Sequence, residues 1–445
     1  MQVKKYRKPG VLVCFLCLSL ACFAQYTVRG GEGSPLKVLE DKLNRIEVWL
    51  VYGMEGVEIS YTSASTAHKW YRYKNRILEN EPISRSAQNG TTSTITGLSE
   101  GYGYFVEQES IPTSYCVWLI DYSKYRYTVN QLEATSSNPC SFVQLSGDQP
   151  IPNLVYINPG GIPATVNRSF DISYNTLEWS EADRNFHAKR IDLSVADPYK
   201  NNLLAAPLCD TGFQLTGDAF ATHFGKGQTI TTEVYPAVKV EAHADTTLIL
   251  DDYPGGNSGG DGLSAPATVS FRAIANDPVA AFYLWTIYRT DDEEGVNNPL
   301  LRYTGEEVEY TFREAGKYKA VLEVSDRTAT CSDVSVEYDI DVADSWIEIP
   351  NAFSPGTTPG VNDEFRVAYK SITRFKGWIF NRWGVQMFHW TDPAQGWDGK
   401  KGGKYVQPGV YFYVIEAEGS DGKKYKKSGD INILRSKTIQ DERIE

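Results

Sequence analysis

Tyr318-Lys319-Ala320-Val321-Leu322-Glu323-Val324 puts Tyr318, Ala320, Leu322 and Val324 on one side of an extended chain and Lys319 and Glu323 on the other. A period of two marks a half-buried strand. The same alternation recurs in Val57-Glu58-Ile59-Ser60-Tyr61, Lys69-Trp70-Tyr71-Arg72-Tyr73, Tyr102-Gly103-Tyr104-Phe105-Val106, Thr268-Val269-Ser270-Phe271-Arg272-Ala273 and Tyr283-Leu284-Trp285-Thr286-Ile287-Tyr288. Past the N-terminus no stretch sustains the 3.6-residue apolar period of a helix. The 28 Tyr, 18 Phe and 10 Trp also fit pleated surfaces. The expectation is an all-β chain, and its 445 residues allow about three or four small domains.

Lys4, Lys5, Arg7 and Lys8 precede an apolar run from Val11 to Ala24. A basic start, a run of about 14 apolar residues and a small residue in that order predict a signal peptide over 1–24. Cleavage is expected between Ala24 and Gln25. Ser19-Leu20-Ala21-Cys22 offers a rival, a lipobox with Ser19 where Leu is usual. No later apolar run reaches 18 residues, so no transmembrane helix is expected.

The chain carries a formal charge of −12. Nucleic-acid binding needs a basic face and is not expected. The charge is unevenly spread, because residues 346–445 hold 15 Lys and Arg against 12 Asp and Glu. The last domain therefore has a different job or partner from the acidic remainder. Beyond the leader stand Cys116, Cys140, Cys209 and Cys331. An exported chain with an even number of cysteines is expected to form disulfides. Four cysteines allow three pairings, and Cys116–Cys140 is expected because both fall in one predicted domain. Cys209 and Cys331 are left free or paired with each other.

Residues 34–147 read as a first β-domain, with Asn89-Gly90 as a turn and Cys116-Val117-Trp118-Leu119-Ile120 as a central strand. Ile95-Thr96-Gly97-Leu98, then Gly101 and Tyr104, resembles the late-strand corner of immunoglobulin-like sandwiches. Residues 148–242 read as a β-rich domain around Phe170-Asp171-Ile172-Ser173-Tyr174 and Ile191-Asp192-Leu193-Ser194-Val195, with a turn at Asn158-Pro159-Gly160-Gly161. Within 243–345, the segment from Tyr310 to Asp326 resembles the closing hairpin of PKD (polycystic-kidney-disease) repeats, which implies a seven-stranded sandwich. The usual Trp-x-Phe-Gly-Asp-Gly of that family is replaced here by Trp285-Thr286-Ile287-Tyr288.

The last hundred residues carry the most ordered motifs. They are Asn351-Ala352-Phe353-Ser354-Pro355, Asn362-Asp363, Phe380-Asn381-Arg382-Trp383-Gly384, Trp397-Asp398-Gly399, Pro408-Gly409-Val410-Tyr411-Phe412-Tyr413, and a close at Arg435. Their order and spacing over 346–435 resemble the gliding-motility-associated C-terminal domain, the type B sorting domain of type IX secretion. The resemblance implies a Bacteroidetes source and export through the periplasm to the cell surface or the medium. It also implies as partners the type IX translocon and a small outer-membrane β-barrel protein. Phe380, Trp383, Phe388, Trp397, Tyr411 and Tyr413 are expected in the core, since a domain of under 100 residues needs large apolar side chains. Gly356-Thr357-Thr358-Pro359-Gly360 departs from the family's acidic first loop, which puts any cation site there in doubt. Ser436–Glu445 forms a tail beyond the usual end.

No catalytic constellation, cofactor site or metal site is expected. His68, His187, His223, His243 and His389 form no ligand motif. Gly256-Asn257-Ser258-Gly259-Gly260 matches G-x-S-x-G but lacks the strand and helix a nucleophile elbow requires. The leading expectation is a non-enzymatic exported protein whose sandwiches act as stalk or interaction modules. The alternative is a carbohydrate-binding adhesin or carbohydrate-active enzyme in 34–242, which solvent-facing aromatic rings would reveal.

Overall fold

A computed structural model describes residues 25–108, 111–112, 115–201, 203–251, 262–357 and 360–435. The leader with Ala24, the G-x-S-x-G match and the tail from Ser436 lie outside the described residues. The fold is all-β. Among the described residues the only helices are Ala219–His223 and a 3₁₀ turn at Tyr122–Lys124.

The N-terminal sandwich packs two sheets. One holds Gln25–Arg29, Glu58–Thr62, Thr92–Ile95 and Ala87–Asn89 in that order. The other has Cys116–Asp121 at its centre, parallel to Ile46–Val51 and antiparallel to Gly103–Gln108. Alternation turns Ile59 and Tyr61 inward against Tyr26, Trp70, Val117 and Leu119. All six residues of Cys116–Asp121 are buried because both faces of their sheet are covered. Cys116, Trp118 and Ile120 meet a third layer, made of the hairpin Leu154–Ile157/Pro163–Val166 and the helix Ala219–His223.

The expected boundary at 147/148 does not separate two cores. Tyr127, Val129, Leu132, Val143 and Leu145 pack with Phe170, Ile172, Phe213 and Leu215. The hairpin that follows the boundary instead covers the first sandwich, and Asn158-Pro159-Gly160-Gly161 is its turn. Alternation tells which side of a strand is buried but not which sheet buries it.

Residues 237–342 form a sandwich of seven strands in two sheets around Phe271, Trp285, Phe312, Tyr318 and Leu322. The last sandwich builds a five-stranded sheet in the order Ala352–Phe353, Lys424–Ile433, Gly409–Gly419, Ile372–Phe380, Gln386–Trp390. One local device recurs in three of these cores. The hydroxyls of Tyr104, Tyr318 and Tyr411 donate to the carbonyls of Ser99, Glu314 and Gln407 at 2.8, 2.7 and 2.9 Å. Each is a tyrosine corner, which pins a strand to the turn before it.

His68 is buried between the first two sheets. Its Nδ1 lies 2.7 Å from Ser93 Oγ and its Nε2 lies 2.8 Å from Ser63 Oγ, while Trp70 Nε1 donates to Ser93 Oγ at 2.9 Å. Burial pushes its pKa below the ordinary histidine value. The folded state therefore disfavours the proton that the unfolded state binds below pH ~6.5. The stability that neutral His68 contributes is present above that pH and is lost as the pH falls towards the folded pKa. Thermal unfolding of wild type and His68→Gln across pH 5–8 should show a steeper acid loss for wild type. Parallel profiles would show that His68 titrates alike in both states.

Candidate sorting surface and the joints behind it

The C-terminal motif residues divide between core, turns and surface. Phe353 is buried with Trp397 and Phe365, whose ring centroids lie 5.6 and 6.0 Å from its own. Trp397 Nε1 donates to the Lys400 carbonyl at 2.9 Å, and Asp398 Oδ1 accepts the Lys400 amide at 3.0 Å. Gly399 has φ +73, and a Cβ there would meet Pro355 at 2.8 Å, so this turn admits only glycine. Pro408 precedes Gly409, which has φ +143 and opens the strand that carries Tyr411 and Tyr413 inward. Tyr411 is buried, and Tyr413 and Phe388 are partly buried against the same core. Asn351 accepts from the Asn432 amide at 2.9 Å, which closes the sheet edge. Arg435 lies over the Tyr405 ring at 4.5 Å.

Asn362 takes φ +54, and its carbonyl accepts from the Ser354 amide at 2.8 Å. Asp363 accepts the amides of Gly356 at 3.2 Å and Gly360 at 2.5 Å. The one carboxylate left in the divergent loop thus holds the loop's own backbone. Among the described residues no group of three or more His, Cys, Asp or Glu is placed to hold a metal ion.

Trp383 is not in the core; it is 72% exposed. Asn381 Oδ1 accepts from the amides of Trp383 and Val385, both at 3.0 Å, and Gly384 turns the chain at φ +74. The backbone that presents the indole is thereby fixed at a hairpin tip, with the Arg382 guanidinium 4.2 Å from the ring centroid. Phe380 is only partly buried, on the sheet face opposite the core. The large core rings missing from the expected set are Phe353, Phe365, Tyr369, Phe375 and Trp390. Phe375 is hard to foresee because the register slips between Ile372 and Arg374.

Behind this sandwich the units are cross-braced. Ser371 Oγ accepts from the Ala265 amide at 3.1 Å and donates to the Ala343 carbonyl at 2.6 Å. Ser345 Oγ donates to Asp421 at 2.5 Å. Burial pushes the Asp421 carboxyl up, but hydrogen bonds from Ser345 and Lys423 outweigh it and hold the pKa at about 2. Further back, the hairpin Phe170–Ser180/Asn185–Val195 reaches the next sandwich. Trp179 stacks on His243 at 3.9 Å, and Arg184 pairs with Asp245 and donates to the Ala244 carbonyl at 2.5 Å. Buried Asn276 donates to the Leu208 and Lys239 carbonyls at 2.8 and 2.9 Å.

The disulfide joins the same two units. Cys140 pairs with Cys331, not with Cys116, while Cys116 and Cys209 are free. Cys116 lies in the doubly covered central strand, whereas Cys140 sits on a turn beside the Asp326–Cys331 loop. Units that pack side by side bring together cysteines 191 residues apart.

Solvent-facing rings would mark a sugar-binding surface in the front units. Trp70 and Trp118 are buried, Trp179 is covered by His243, and no described aromatic residue of 34–242 is exposed.

Tandem β-sandwiches, braced to one another and followed by a small aromatic-rich sandwich, define a modular all-β protein. Residues 347–433 match the CHU_C type IX secretion signal domain, and residues 132–232 match a fibronectin type III domain. A type IX sorting domain therefore ends the described chain, and an Ig-like module of the fibronectin type spans the boundary expected at 147/148. No curated protein matches the chain. Among solved structures, the tetra-tandem repeat in the extending region of a large adhesion protein is similar at 10% identity and a TM-score of 0.21, over 92% of this chain and 99% of that one. The sorting domain implies interaction with the type IX machinery and export to the cell surface. No helix of the described residues is long and apolar enough to cross a membrane.

Proposed function

We propose that the chain is a non-enzymatic surface or secreted protein of a Bacteroidetes-type cell. A leader over 1–24 takes it to the periplasm, and the C-terminal sandwich then directs it across the outer membrane. Its receptor there is the type IX translocon with a small outer-membrane β-barrel protein. The units before it, including a PKD-like sandwich over 243–345, serve as stalk or interaction modules. The observation that carries this reading is the match of 347–433 to a type IX secretion signal domain at the end of a row of sandwiches. The cross-bracing and the buried aromatics of 34–242 favour a structural array over a sugar-binding surface.

The test is fractionation of type IX-competent cells that produce the full chain or a chain lacking 346–445. The full chain should reach the surface or the medium, and the shortened one should stay in the periplasm. Equal delivery of both would refute the reading.

A further inference from the structure

The sorting sandwich leaves a partly exposed apolar patch on the outward side of two adjoining strands, Ile372–Phe380 and Gly409–Gly419. Trp378 stands opposite Val414 and Phe380 opposite Phe412, so these four share the outward face with Val410. Phe412 is 44% and Val410 47% exposed, and the tip beside them adds Trp383 and Val385 at 72% and 48%. An antiparallel sheet with one solvated face is expected to be polar on that face. Contiguous exposed apolar surface on a folded domain marks an interaction site. Beyond the patch the face is charged. Lys376, Glu416 and Lys426 form one row and Arg374, Glu418 and Lys424 the next, around a groove of about 600 Å³.

Going beyond the sorting role, and resting on it, we propose that this outward face is the docking surface of the sorting domain, and that its partner is a protein surface with an apolar cleft bordered by carboxylates. Three observations carry the assignment. The first is the tip itself. Asn381 fixes the backbone of the turn that presents Trp383 before any partner arrives, so that backbone loses little freedom on binding. Buried tryptophans dominate protein interfaces. The second is charge. Arg374, Lys376, Arg382, Lys424 and Lys426 outnumber Glu416, Glu418 and Asp430 on the face and its tip, which complements an acidic rim. The third is how those charges are arranged. Glu416 and Glu418 stand between the cations, with Lys426 3.2 Å from Glu416 and Arg374 3.0 Å from Glu418. An anionic bilayer would repel these carboxylates, whereas a protein can match them in register.

Two pairs of substitutions in the full chain test this in type IX-competent cells. Trp383→Ser with Phe412→Ser removes the apolar anchors. Lys376→Glu with Lys424→Glu reverses the border and alters only exposed side chains. Each pair should lower surface delivery by about tenfold or more, the scale of a hot-spot loss, with folded protein accumulating in the periplasm. The control pair Phe282→Ser with Tyr303→Ser, exposed on the preceding sandwich, should be delivered like wild type. Wild-type delivery of either face pair overturns the docking face. If the chain lacking 346–445 is still retained in that experiment, the sorting role survives; if it too is delivered, the sorting role itself fails. Purified full chain mixed with vesicles of anionic phospholipid should not bind them. Binding that the Trp383→Ser/Phe412→Ser pair abolishes would make the bilayer the partner and overturn the proposal.

Discussion

Asp218→Ala should destabilise the joint between the N-terminal sandwich and the fibronectin-type unit by about 3–5 kcal/mol, the cost of leaving a buried charge without its partner. Asp218 is completely buried and Arg168 nearly so, and the two form an ion pair. Asp218 Oδ1 accepts from the Tyr122 hydroxyl at 2.5 Å and from the Ala221 amide at 2.8 Å, so the same carboxylate caps the helix that covers the first sandwich. Arg168 spends its remaining donors on the carbonyls of Pro152, at 2.7 and 2.9 Å, and Tyr125, at 2.6 Å. Burial pushes the Tyr122 phenol up, which keeps it protonated as a donor. Removing Asp218 strands a guanidinium, a phenol and a helix end together. Replacing both charges, as in Arg168→Met with Asp218→Leu, removes the stranded charge and should recover much of the loss. A multi-unit chain need not unfold in one step, so hydrogen exchange over 122–125, 150–168 and 218–224 is the direct measurement. Protection there unchanged by Asp218→Ala would mean that the pair holds nothing together.

Cys140→Ser should cost about 2–5 kcal/mol, the usual loss on removing a native disulfide from an exported protein. The bond ties the fibronectin-type unit to the seven-stranded sandwich beside the Trp179–His243 and Asn276 contacts. Its loss should let the two units melt at separate temperatures, and a reductant should do the same to wild type. The pairing itself is checked by a non-reduced digest, which should yield a Cys140–Cys331 linked peptide. Cys209, only partly buried, should alkylate in the folded protein. Cys116, whose thiol burial pushes up to about 12, should alkylate only after unfolding. A Cys116–Cys140 linked peptide would reverse the assignment.

Much of this architecture is legible in the chain. Period-two alternation in Val57–Tyr61, Lys69–Tyr73 and Tyr318–Val324 reports strands because a pleated chain sends successive side chains to opposite faces. The turn at Asn381–Gly384 is equally local, since an Asn acceptor and a glycine at positive φ need only their own neighbours. The order of the aromatic and turn motifs from Asn351 to Arg435 was enough to indicate a sorting domain.

What could not be read depends on distance across the fold. Trp383 has the composition of a core residue, but the turn that holds it faces outward. Arg168 and Asp218 lie 50 residues apart and resemble any surface charges until packing removes the water around both. The partner of Cys140 lies 191 residues away, in another sandwich. Alternation, turn chemistry and motif order are properties of neighbouring residues, so the sequence by itself determined the strands, the all-β class and the terminal sorting domain. Which sheet buries a given strand, which cysteines meet and which tryptophan faces solvent depend on how finished sheets pack, and only the tertiary structure decided them.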